Sequence, residues 1–99
     1  MKKLSQIKYQ LNQNLNQIKN EYQVKQLGIF GSYIRGEATE SSDLDILVEF
    51  EPDATFGLFT FCELENYLSE LLTIQVDLVM KDSLKPSLGQ NILREVDYL

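Results

Sequence analysis

The chain has no histidine and a single cysteine. Without histidine, Ser–His–Asp and Cys–His catalysis are excluded within this polypeptide. A zinc site of the usual Cys/His kind is excluded too. Cys62 on its own permits no intrachain disulfide. With Phe59, Phe61 and Leu64 around it, Cys62 reads as a core residue rather than a nucleophile. No apolar run approaches the length of a membrane span. The opening MKKLSQIKYQ carries two lysines but lacks the apolar stretch of a signal peptide. A cytoplasmic protein with no membrane contact is expected.

Positive charge is missing from the middle of the chain. Between Gly36 and Met80 there is no Lys or Arg, while Asp and Glu occur eleven times. Such a stretch repels free nucleic acid, whose affinity rests on Lys and Arg contacts to phosphate, so direct nucleic-acid binding is not expected. It suits divalent cations or a basic protein partner. For most of the glutamates the simpler reading is a solvated acidic face. The 99 residues form one domain, 1–99, with room for one core. An apolar content of 43% argues against disorder.

Leu4, Ile7, Leu11, Leu15, Ile18 and Tyr22 form one stripe of an amphipathic helix. The Gln and Asn residues between them would make an amide-rich outer face; a prion-like tract is the weaker reading. Val24–Phe30 is a predicted strand ending at Gly31, and GSYIRGE a turn or a single helical turn. After a polar loop, Ala38–Ser42, comes a second strand, Leu44–Phe50, with Leu44, Ile46, Val48 and Phe50 turned to the core. Pro52 helps to end it. Phe59, Cys62, Leu64, Tyr67, Leu68, Leu71 and Leu72 have helical spacing. Ile74–Met80 is a third strand, and Leu84–Arg94 a last helix with Pro86 near its start. Strands separated by helices predict an α/β layer architecture.

Two carboxylates carry the chemistry. Asp43 and Asp45 alternate in SSDLDILVEF, so both point to one face, about 7 Å apart along the strand. An isolated pair of this kind is usually solvent-facing. Here it follows the Gly31-Ser32 turn, whose backbone N–H groups suit a phosphate. Asp77 lies mid-strand in VDLV, where a charge needs a partner if the strand is buried. A cation shared by Asp43, Asp45 and Asp77 would relieve their mutual repulsion. Metal site and phosphate cradle together point to phosphoryl or nucleotidyl transfer.

Gly31-Ser32, ten residues, Asp43-x-Asp45 and a later strand Asp77 resemble the signature of the DNA polymerase β-type nucleotidyltransferase superfamily. The short length, GSYIRGEATESSDLDILVEF, VDLV and SLKPSLGQNILREVDYL are similar to its minimal (MNT) members, including the MntA-type antitoxins paired with HEPN-domain toxins. The resemblance runs from about Leu27 to the C-terminus. It implies a minimal polymerase β-like fold, α/β (α+β), with a central mixed β-sheet flanked by helices. It also implies two Mg²⁺ ions on Asp43, Asp45 and Asp77, with Asp77 helping to activate the attacking hydroxyl. Gly31 and Ser32 would bind the β- and γ-phosphates of ATP, and Arg35 could add a phosphate contact. For Arg35, a surface ion pair with Glu37 or Glu40 is the competing reading. Gly36 would permit the turn that follows. Tyr33 and Ile34 depart from the Arg-Ala or Phe-Ala of many relatives; Ile34 reads as core, and Tyr33 as either core or a ring beside the base.

The resemblance implies an adenylyltransferase that moves AMP from ATP to a tyrosine of a HEPN RNase toxin, an enzyme acting as an antitoxin. One alternative is a non-catalytic antitoxin that binds its toxin through aromatics such as Phe56, Phe59 and Tyr98. Another is transfer to a small molecule or RNA, against which the missing acceptor domain counts.

Overall fold

The computed structural model describes residues 2–55 and 57–99. Its first element is helix α1, Leu4–Tyr22, which buries Ile7, Leu11 and Ile18 from the expected stripe. Gln23 ends it in the left-handed region, at φ 56°, and returns its N–H to the Lys19 carbonyl. Some amides of its outer face are engaged locally: Asn14 donates to the Gln10 carbonyl, and Gln13 donates to Tyr9.

Strand β1, Val24–Phe30, leads through the four-residue helix α2, Ser32–Arg35, to strand β2, Leu44–Phe50. Helix α3, Leu58–Leu72, then crosses to strand β3, Val76–Met80. A short 3-10 turn at Lys81–Ser83 precedes helix α4, Pro86–Glu95, with its proline at the start. A two-residue strand β4, Asp97–Tyr98, completes a sheet of order β3-β2-β1-β4. The β1–β2 and β1–β4 pairs are antiparallel and β2–β3 is parallel, so the sheet is mixed and flanked by helices.

Period-two alternation divides the strand residues between two cores. Ile29, Leu44, Ile46, Val48, Phe50, Val76 and Leu78 pack with α1 and α3. On the opposite face Phe30 and Leu47 meet Ile92 of α4, with Val79, Leu84 and Val96 against them. This second face is only partly apolar. Its remaining positions carry the acidic residues.

Three expectations are corrected. Cys62 is exposed rather than core; Phe59, open in sequence to either a core or an interface role, is 84% exposed. The buried line of α3 is Leu64, Leu68 and Leu72, four apart, and this leaves Phe59 and Cys62 on the outer side of the first turns. The third strand begins at Val76 rather than Ile74. Strand β3 is also an edge strand, so Asp77 is exposed instead of being enclosed. Phe56 lies outside the described residues. Tyr98 is at the margin of exposure, at 36%.

Leu68 is fully buried between α3 and the sheet. Leu68→Ala should cost about 3 kcal/mol, lowering the melting temperature by more than about 10 °C. Phe59→Ser should stay within about 0.5 kcal/mol of the wild type. Urea unfolding of both variants checks the assignment of inner and outer α3 faces.

Candidate active site

One row of the sheet assembles the acidic site. Asp45 is paired with Phe30 across the antiparallel ladder and with Asp77 across the parallel one. Leu47 and Val79, two residues on in each strand, face α4, so Asp45 and Asp77 point to that same side. Asp43 is one residue before β2 begins and is exposed. A tight loop delivers it: the Thr39 N–H donates to Ser42 Oγ at 2.8 Å, and the Ser42 N–H returns to the Thr39 carbonyl at 3.0 Å.

The Gly31 turn closes over this row. Gly31 has φ +82°, and a Cβ there would run into the Asp45 carboxylate. Only glycine meets both demands. Its carbonyl accepts the Ile34 and Arg35 N–H groups at 3.0 and 3.1 Å, which folds Ser32–Arg35 into α2. Gly36, at φ +73°, ends the helix in the left-handed conformation, as expected of a turn-permitting residue.

Asp45 is the electrostatically strained member. Burial raises its carboxyl from 3.8 to about 6, and the neighbouring charges of Asp77 and Asp43 push in the same direction. Arg35 opposes them, while Glu95 adds to the repulsion. Asp45, Asp77, Gly31, Arg35, Asn91 and Glu95 share a cleft of about 430 Å³. Asp43 is not in this cleft; it lines a separate cavity of about 480 Å³ with Tyr33, Ser42 and Gln75.

Among the described residues, no group of three His, Cys, Asp or Glu side chains forms a ready metal cluster. The donors that do converge are all carboxylate oxygens, and one of them resists ionisation. Oxygen-only donors suit a hard cation, and Mg²⁺ commonly takes one or two carboxylates and completes its shell with water and phosphate. The residues present therefore fit Mg²⁺.

Of the residues expected at the site, Gly31, Arg35, Asp45 and Asp77 fall in one cleft and Ser32 opens α2 beside it. Tyr33 is 8% exposed and packs into the main core, with Ile34 partly buried against the same cluster. The ring of Tyr33 is thus largely committed to packing. Arg35 pairs with Glu37 at 2.6 Å, as one reading held. It also pairs with Glu95 at 2.9 Å, which sequence reasoning missed. Nothing in local spacing joins two residues sixty positions apart.

A carboxylate row under a glycine turn, on a mixed sheet flanked by helices, suits chemistry on a phosphate chain. The sequence profile of the family described as nucleotidyltransferase domain matches residues 11–99. The chain belongs to that family and is a nucleotidyltransferase. It is 47% identical over 96 residues to the protein adenylyltransferase MntA of Thermococcus cleftensis, covering 97% of this chain and 95% of the relative. A solved structure assigned as a minimal nucleotidyltransferase superposes with TM-score 0.83 at 35% identity, over 99% of this chain and 97% of the other. A crystal structure of a toxin–antitoxin with AMP-PNP superposes with TM-score 0.69 at 25% identity, over 87% of this chain and 69% of the other.

The raised Asp45 value makes a prediction about stability. The folded metal-free protein holds more protons than the unfolded chain between pH 3.8 and about 6. This contribution to stability is therefore present at low pH and is lost as pH rises through that window. Asp45→Asn should stabilise the metal-free protein at pH 7 by about 1 kcal/mol, after discounting for solvent screening. The gain should shrink at pH 4. Urea unfolding in chelator at both pH values reads it, and a loss of stability would make Asp45 a structural residue.

Proposed function

We propose that the chain is a Mg²⁺-dependent protein adenylyltransferase that serves as an antitoxin. It would move AMP from ATP to a tyrosine of a HEPN-domain RNase toxin and so silence it. The observation that carries this reading is the pairing of Asp45 with Asp77 directly beneath the Gly31 turn. A full-length relative that bears the name of this activity supports it.

Asp43, Asp45 and Asp77 would hold two Mg²⁺ ions, which when bound would neutralise the triphosphate and polarise its phosphorus. Gly31 and Ser32 would bind the β- and γ-phosphates through backbone N–H and hydroxyl groups, with Arg35 beside them. Asp77 would receive the proton of the attacking tyrosine. The tyrosine oxygen then bonds to the α-phosphorus as the bond from that phosphorus to its bridging oxygen breaks, and pyrophosphate leaves.

The acceptor would arrive as a separate protein. The lysine- and arginine-free span from Gly36 to Met80 suits a basic partner surface. Leu58 and Phe59, 78% and 84% exposed, offer apolar contact at the start of α3. The same exposed residues favour a second reading, an antitoxin that acts by complex formation alone. No helix among the described residues is long and apolar enough to cross a membrane.

The test mixes the protein with its neighbour-encoded partner, Mg²⁺ and ATP, and weighs the partner by intact mass spectrometry. An added AMP mass is expected, and it should vanish with the Asp43→Asn, Asp45→Asn double variant. Asp77→Ala should stop transfer while leaving the complex intact on gel filtration. A partner that is silenced without gaining mass would favour the binding-only reading.

A further inference from the structure

Glu95 ends α4, and its carboxylate reaches back to the glycine turn. One oxygen, Oε2, accepts the Gly31 N–H at 2.9 Å. The other, Oε1, accepts Arg35 Nη1 at 2.9 Å. The Glu95 side chain is 22% exposed, against 63% for Glu37, the other carboxylate on Arg35. The Glu95 link is therefore the sheltered one, inside the cleft that holds Asp45 and Asp77.

Gly31 N–H and Arg35 are donors that the reading above gives to phosphate. A single backbone N–H serves one acceptor well, and a hydrogen bond to a charged group is among the stronger ones. An incoming phosphate oxygen therefore meets donors already satisfied by an anion of the chain itself. Glu95 also brings a negative charge to the side of the cleft where a triphosphate would lie. Neither effect helps phosphate to bind.

We propose that Glu95 is an internal occupant of the phosphate subsite, which a nucleoside triphosphate must displace, and that it thereby sets nucleotide affinity. The inference rests on the nucleotide-binding reading of this cleft and adds to it a determinant of affinity. Displacement is mechanically open to the chain. Helix α4 keeps its own apolar seat, Ile92 with Leu84 and Val96 against Phe30, Leu47 and Val79, whether or not the carboxylate is engaged.

The test is calorimetric titration of the full chain with Mg²⁺–ATP, and separately with inorganic tripolyphosphate, for wild type, Glu95→Gln and Glu95→Ala. Thermal unfolding confirms that each variant is folded, and Glu95→Gln keeps the side-chain size should the alanine variant fail. Both variants should bind both ligands about tenfold more tightly, as when one charge-assisted hydrogen bond no longer has to be broken. Adding Arg35→Ala to Glu95→Ala should remove the gain. Unchanged or weaker binding by folded variants, with wild type still modifying its partner, overturns the role of Glu95 alone. No nucleotide binding by any variant, with no transfer by wild type, overturns the site reading as well.

Discussion

The register of three strands at one row is the constraint on which the site depends. Phe30, Asp45 and Asp77 stand side by side because β1 and β2 run antiparallel and β2 and β3 parallel at this level. A slip of one residue would turn both carboxylates into the α1–α3 core and expose Ile46 and Leu78 in their place. Burial of Leu44, Ile46, Val48 and Leu78 on that face is therefore what aims Asp45 and Asp77 at α4. Packing on one side of the sheet fixes chemistry on the other. Gly31 follows from the same register, since the chain leaving Phe30 must pass directly over the Asp45 carboxylate.

Charge is arranged in the cleft so that opposites are adjacent but not balanced. Arg35 pairs with two glutamates, while Asp45 faces Asp77 and Asp43 with Arg35 only partly offsetting their charge. Burial and these neighbours hold the Asp45 carboxyl near 6, and Glu95 behaves in the opposite way. Burial pushes Glu95 up, but the Gly31 amide and Arg35 outweigh it and bring it below the usual carboxylate range. Among the described residues, Glu95 thus has fixed hydrogen-bond partners and the Asp45 carboxylate has none. A bound cation would complete the second and leave the first to compete with phosphate.

Much of this was legible in the sequence because it rests on local periodicity. The α1 stripe, the alternation of β2, the glycine at a positive φ and the DxD spacing each occupy a few consecutive residues. What was not legible depends on sheet order and on distant pairing. Asp77 looked like a buried charge because VDLV reads as a central strand, whereas β3 lies at the sheet edge. Cys62 looked like core because it is apolar and near the α3 stripe, yet it falls on the outer side. Strand β4 is two residues long, too short to show a period. Glu95 acts across sixty-four residues, and no window along the chain reveals that.

The most direct test of the central claim follows the phosphorus. The protein and its partner would be incubated with Mg²⁺ and ATP labelled at the α-phosphate, and in parallel at the γ-phosphate, while released pyrophosphate is counted. The α-label should enter the partner with one pyrophosphate released per label, and Asp45→Asn should abolish both. Transfer of the γ-label, or α-label incorporation that survives Asp45→Asn, would contradict the account.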